Sequence, residues 1–256
     1  MFIRLCRSSD AHPVLRMRPY IQSLFHIGCK MKIVVLVIAS RGPAYDRFLE
    51  NWRSQILPTN VSVKFLFCSE DQVDPFEVRG DSMFLKGVEC GKPGLHYKTL
   101  AAMSYSLSEP FDYLLRTNLS SYINFRKLTD FLEEKPQQFC AAGTYFEGGF
   151  LSGSAYILSR DLVDMFTRWC EEECCMNPMC FYDDEFVGAF VKEIKPQFYP
   201  MNGITYDPTI GLSEAAEKLH VRFKTSLIEE QRGNDIEQHR GVIDIYNTCM
   251  SSSNTR

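Results

Sequence analysis

The run Ile33-Val34-Val35-Leu36-Val37-Ile38-Ala39 constrains the fold more than any other stretch. It is apolar throughout, with no polar alternation, so as a strand it must be covered on both faces. Strands of this kind belong to sheets sandwiched between helices. The polar turn Ser40-Arg41-Gly42-Pro43 follows. From Tyr45 to Gln55 the residues Phe48, Leu49 and Trp52 share one helix face, and Pro58 closes the segment. Val61–Cys68 repeats the buried-strand pattern, and an acidic loop, Glu70 to Asp74, comes after it. A short strand near Phe84-Leu85, a turn at Gly91-Lys92-Pro93-Gly94, a helix from Tyr97 to Leu107 and a strand over 111–116 continue the series. Strands alternating with helices in this way predict an α/β fold with a mostly parallel central sheet flanked by helices.

The strand at 111–116 runs into a polar turn, Thr117 to Ser121, and then a helix over 126–134. Phe139–Gly143 reads as a strand, Gly148–Ser154 as a glycine-rich bend and Ala155–Leu158 as another strand. Ser159 is placed to N-cap a helix over 160–173. Cys174–Cys180 reads as a loop, and Asp183 to Lys195 as a helix with Phe186, Phe190 and Ile194 on one side. Beyond 197 the pattern is mixed and is expected to lie against the site. Residues 1–30 differ from the rest, carrying Arg4, Arg7, Arg16, Arg18 and Lys30 against a single acid, Asp10. They lack the continuous apolar core of a secretory signal. They are expected to be a poorly ordered extension, or alternatively an amphipathic appendage. The division expected is an extension at 1–30, one domain at 31–250 and a disordered tail at 251–256.

Charge and composition exclude some function classes. The net charge is −4, which gives no broad basic footprint for nucleic acid. No run approaches the ~18 apolar residues of a membrane span. Ten cysteines are present, but no CxxC pair marks a zinc site. The cluster Cys170, Cys174, Cys175 and Cys180 is read as reduced thiols, with a local disulfide as the alternative.

Four groups of residues could carry chemistry. Asp183 and Asp184 stand with Glu185 at the start of the 183–195 helix. Acids there suit the helix dipole, so a capping cluster is one reading. A general base is the other, since crowded carboxylates among aromatics have raised pKa values. In the glycine-rich bend, Ser152 and Gly153 either let the backbone approach a ligand or simply turn the chain. His220, Arg222 and Lys224 alternate and so share one face of an extended segment, fit for a diphosphate or for solvent. Ser40, Arg41 and Lys98 sit at the edges of candidate ligand loops.

Several segments, in order, resemble the inverting β-1,3-glycosyltransferases that include the β-1,3-galactosyltransferases and Fringe enzymes (glycosyltransferase family 31). Phe48-Leu49-Glu50-Asn51-Trp52-Arg53 resembles that family's first helix, Ile-Arg-x-Thr-Trp. Gly80-Asp81-Ser82-Met83 and Lys98-Thr99-Leu100 are similar to its Gly-Asp and Leu-Lys-Thr segments. Tyr113 to Leu128 resembles the strand running into Lys-Thr-Asp-Asp-Asp-Val-Phe-Val-Asn. Leu151 to Ser159 looks like Cys-Ser-Gly-x-Gly-Tyr-Val-Leu-Ser, and Asp183 to Gly188 like Glu-Asp-Val-Tyr-Val-Gly. The chain also resembles soluble glycosyltransferase-like proteins of large DNA viruses.

The resemblance implies a GT-A fold and transfer of a sugar from a nucleotide-diphosphate sugar, UDP-linked in the expected case, to a glycan or glycoprotein acceptor with inversion. It implies Asp184 or Asp183 as base, Asp184 preferred. Ser40, Arg41, Lys98, Arg116, Asn118, Ser120, Ser152 and Gly153 are expected around the donor. The family's metal-binding aspartates correspond to Asn118, Leu119 and Ser120, so Mn²⁺ or Mg²⁺ dependence is in doubt. His220, Arg222 and Lys224 are expected to neutralise the diphosphate instead, and a metal on Asp112 is the alternative. A silent nucleotide-sugar or glycan-binding protein, and a retaining transferase or nucleotidyltransferase, are the competing functions. The expected compartment is the cytoplasm, with the Golgi or secretory lumen as the alternative.

Overall fold

The computed structural model describes residues 31–91, 93–146, 150–172 and 182–253. The 1–30 extension, Gly148-Gly149 and the Cys174–Cys180 loop lie outside the described residues. Eleven strands and seven α-helices follow one another among the described residues. In chain order they are β1 (Ile33–Ile38), α1 (Pro43–Ser54), β2 (Val61–Ser69), β3 (Phe76–Arg79), β4 (Ser82–Lys86), α2 (Gly94–Ser106), β5 (Tyr113–Asn118), β6 (Ser121–Ile123) and α3 (Phe125–Glu133). Then come β7 (Cys140–Tyr145), β8 (Leu151–Ser159), α4 (Arg160–Glu172), α5 (Asp183–Ile194), β9 (Gln197–Pro200), β10 (Ile204–Thr205), α6 (Leu212–Ala216), β11 (His220–Arg222) and α7 (Gly233–Ser253).

Eight strands form one sheet in the order β3-β4-β2-β1-β5-β8-β7-β9. The central β4, β2, β1 and β5 run parallel. β8 runs against both β5 and β7, and β9 is parallel to β7. A smaller sheet, β10-β11-β6, stands apart from this one.

The apolar run in β1 is covered on both faces, as its composition requires. Ile33, Val35 and Val37 join one core with Phe48 and Trp52 of α1 and Ile236, Val242 and Tyr246 of α7. Val34 and Leu36 join the other, with Met103 of α2, Val163 of α4 and Phe190 of α5. The same alternation in β5 sends Tyr113 and Leu115 to the first core and Leu114 to the second. Arg116 and Asn118 therefore share the side of Leu114.

The class expected from the sequence is the one the chain adopts, a central sheet flanked by helices, though the sheet is mixed: its centre is parallel and β3, β8 and their neighbours pair antiparallel. Several local expectations are corrected. β5 runs on to Asn118, and Ser121 already begins β6, so the polar turn shrinks to Leu119-Ser120. Leu151–Ser154 is the start of β8, because it pairs with β7, and not part of a bend. Ser159 does not cap α4: its hydroxyl accepts from Cys140 N and donates to Asp161. β3 and α7 had no counterpart in the sequence reading, and α7 carries the chain to Ser253, into the expected disordered tail.

Candidate active site

The strand order reverses between β1 and β5: from β1 the chain builds outward through β2 and β4, then returns to place β5 on the opposite side. In open α/β sheets, ligands bind in the crevice beyond the carboxyl ends of the strands at such a point. A cavity of about 420 Å³ opens there. Ile38 and Ser40 line it from the end of β1, and Asn118, Leu119 and Ser120 from the end of β5. Glu89, Gly91 and Lys98 form one wall, and Arg222, Lys224, Ser226, Leu227 and Arg232 the other.

The floor of this cavity is a rigid turn. Leu119 N donates to Ile38 O at 3.2 Å, and Leu119 O accepts from Trp52 Nε1 at 3.0 Å. Ser120 O accepts from Phe223 N at 2.7 Å, and Ser121 O from His239 Nε2 at 3.1 Å. Three successive carbonyls are thus held by three separate elements. Asn118 Oδ1 accepts the hydroxyls of Ser120 (3.0 Å) and Ser121 (3.1 Å), while its Nδ2 donates to Gly153 O at 3.2 Å.

This donor set does not fit a divalent cation. The one side-chain oxygen of Asn118 is already engaged twice, and the Leu119 side chain is buried in the core. Such ions take several hard, mostly charged oxygens. Glu89, the one carboxylate in the lining, accepts from Lys98 Nζ and from Cys68 N. Asp112 receives Lys32 N at the opposite end of β5, which removes it as the alternative ligand.

The cations divide into committed and available ones. Lys98 is buried against Glu89 and donates to Ala39 O at 2.8 Å. Arg232 donates to Phe223 O and lies beside Asp235. Arg222 and Lys224 remain. The buried Nε of Arg222 has no hydrogen-bond partner among the described residues. Burial, then repulsion from Arg116 and Arg232, pushes the Arg222 pKa down; burial, then Arg222 and Arg232, does the same to Lys224. Both effects mark a site short of negative charge.

His220 does not belong with them. It is buried with Nε2 3.3 Å from Ser121 Oγ, and burial holds its pKa at about 4, so the ring is neutral. Arg41 is also elsewhere, with its guanidinium 4.5 Å from the centre of the Phe67 ring and outside the cavity lining.

The adjacent aspartates at the start of α5 have opposite fates. Asp183 is buried, with Oδ2 2.8 Å from Arg116 Nε and Oδ1 accepting from Arg116 Nη2 at 2.9 Å. Thr99 Oγ1 donates to the same carboxylate at 2.9 Å. Asp183 and Arg116 therefore neutralise each other and are spent on structure, which corrects the expectation that either faces a ligand. Asp184 is half-buried and forms no ion pair among the described residues. Its Oδ2 accepts from Gly153 N and its Oδ1 from Glu185 N, each at 3.0 Å. Burial, and then the charge of Asp183, raises its pKa; Arg116 and the two backbone donors oppose the shift.

Gly153 links this acid to the cavity. Its carbonyl accepts from Arg116 Nη1 and from Asn118 Nδ2. A Cβ there would lie 2.5 Å from Asp184 Oδ2, so glycine is required by close approach. Ser152 is 2.7 Å from Ser154 Oγ and does not line the cavity. Glu89, Arg232 and His239 went unnoticed in the sequence. His239 carries no local signal, because the apolar residues of α7 are spread among polar ones.

No family model matches this chain, and no curated protein matches it. Among solved structures it is similar to a glycosyltransferase involved in glycosylation of the major capsid of PBCV-1, with 10% identity and a TM-score of 0.45. That likeness covers 80% of this chain and 98% of the other. It is too distant to assign an activity. No helix among the described residues is long and apolar enough to cross a membrane.

Proposed function

We propose that this chain transfers a sugar from a nucleotide-diphosphate sugar, UDP-linked, to a hydroxyl of a glycan acceptor with inversion, on a GT-A type sheet. The observation that carries this reading is the cavity at the β1/β5 crossover. It holds available cations, Arg222 and Lys224, and Arg222 is within electrostatic reach of a half-buried carboxylate, Asp184, that forms no ion pair among the described residues. A diphosphate supplies the negative charge that Arg222 and Lys224 lack. Ser40, Asn118 and Ser120 offer hydroxyl and amide groups to the ribose or sugar. Lys98, paired with Glu89, helps shape the donor side of the cavity.

The reaction is a single displacement. Asp184 takes the proton of the acceptor hydroxyl as its oxygen bonds to the anomeric carbon. The bond from that carbon to the diphosphate oxygen breaks, and the nucleoside diphosphate leaves with the electron pair into the Arg222–Lys224 field. Raising the Asp184 pKa above that of an ordinary aspartate makes its carboxylate a stronger base. Arg116, Asp183 and Gly153 position it. The cytoplasm is the proposed compartment.

A thermal-shift plate of nucleotide sugars, with and without Mn²⁺, tests the donor. A ligand at a hundred times its Kd adds about 2.7 kcal/mol of stability. At least one UDP-sugar is expected to raise Tm in EDTA, and release of UDP on adding a glycan acceptor confirms turnover. No shift with any nucleotide sugar would sink the reading.

A further inference from the structure

Three of the four exposed aromatic side chains among the described residues are tied, directly or through one neighbour, to the first two turns of α5. The four are Tyr97 (46% exposed), Tyr145 (39%), Phe146 (43%) and Tyr182 (43%). The other large exposed apolar residues, such as Leu227 and Val88, are aliphatic. Tyr182, Tyr145 and Tyr97 make these ties, and Phe146 follows Tyr145 in the chain. Tyr182 stands two residues before Asp184, and a Cβ on the cavity residue Gly91 would lie 3.1 Å from its ring. Tyr145 donates its hydroxyl to Gly188 O of α5 at 3.4 Å and is paired with Leu151, near Gly153. Phe146 stacks on Phe150 with ring centres 4.9 Å apart. Tyr97 leans on His96, which in turn packs against Phe186 of α5 at 4.2 Å.

We infer that this aromatic rim is the acceptor subsite and that it takes a neutral pyranose. The inference rests on the transferase reading and names the substrate class of the same site. A pyranose has an apolar face of axial C–H groups and a girdle of hydroxyls. Rings that are apolar in body and polar at the tip match both, and the phenols of Tyr97 and Tyr182 meet the hydroxyls. Asp184 and Glu185 at this edge repel an anionic acceptor. Tyr182 connects the rim to Asp184 by chain and to the cavity through Gly91. A sugar stacked there presents a hydroxyl to the base while the donor occupies the cavity.

The test uses saturation-transfer NMR of methyl β-D-galactopyranoside and methyl β-D-glucopyranoside with the full chain, alongside calorimetric titration of UDP. Saturation is expected on the protons of one ring face of at least one glycoside. Tyr182→Ala and Phe146→Ala should each weaken that contact or raise the acceptor KM about tenfold, the size expected for loss of about 1.4 kcal/mol of stacking. The UDP Kd should stay the same, and Tyr182→Phe should restore most of the contact. Equal contact in wild type and Tyr182→Ala overturns the inference, as does saturation of a serine-containing peptide with none of either glycoside. Loss of UDP binding in the wild-type chain, with glycoside contact intact, overturns the transferase reading and leaves the rim as a sugar-binding surface.

Discussion

Asp183 and Asp184 show how neighbouring identical side chains acquire different work. One helix residue turns the side chain by about 100°, which sends the first into the ion pair with Arg116 and the second toward Gly153. Asp183→Asn strips a buried guanidinium of its partner, and such losses cost about 3–5 kcal/mol. Urea denaturation should show that loss. Asp184→Asn should instead abolish transfer while UDP binds nearly as before; full transfer by this variant would end its assignment as base. In the wild type, the acid limb of kcat/KM should follow ionisation of Asp184 and lie above the pH of an ordinary aspartate, because burial raises that pKa. Gly153→Ala should lower kcat in a chain that still folds, since the new methyl group collides with the Asp184 carboxylate.

At the scale of elements, what the sequence could show was set by how local the determining forces are. The unbroken apolar run of β1 announces its own burial, and Phe48, Leu49 and Trp52 announce the inner face of α1. β3 hides because Phe76-Glu77-Val78-Arg79 is short and partly exposed, and pairing with β4 makes it a strand. α7 hides because its apolar residues are spread among polar ones and are legible only once α1 and α6 are in place. The same rule covers the site. The cavity floor at the end of β5 and the Asp183/Asp184 pair are compact in sequence and stand out. The division between Arg222, with no partner for its Nε, and the neutral His220 is a matter of depth that alternation cannot report. Arg222→Ala removes a charge-assisted bond to the diphosphate. It should weaken UDP by about 2 kcal/mol, or roughly thirtyfold, in calorimetry run in EDTA. An unchanged Kd would show that the diphosphate lies elsewhere.

For the molecule as a whole, two buried histidines make acid stability a test of the architecture. Burial is the main cause that lowers both His220 and His239 from 6.5 to about 4. In the unfolded chain they bind protons below about pH 6.5, so the unfolded state holds more protons between the two values. Stability is therefore complete above that window and falls as pH drops through it toward 4. Melting curves between pH 7 and 4 should show the decline, and His239→Gln should flatten part of it. A histidine resonance for either residue titrating near 6.5 would contradict the burial. The carbonyl of Ser121 is held by a residue 118 positions further along the chain. During synthesis, at about 5–20 residues per second, the turn at the end of β5 leaves the ribosome on the order of ten seconds before its last anchor exists. The nascent chain therefore has the strands of its sheet centre early, while the turn under its cavity gains its last anchor, and β1 its α7 cover, only when the final helix is made.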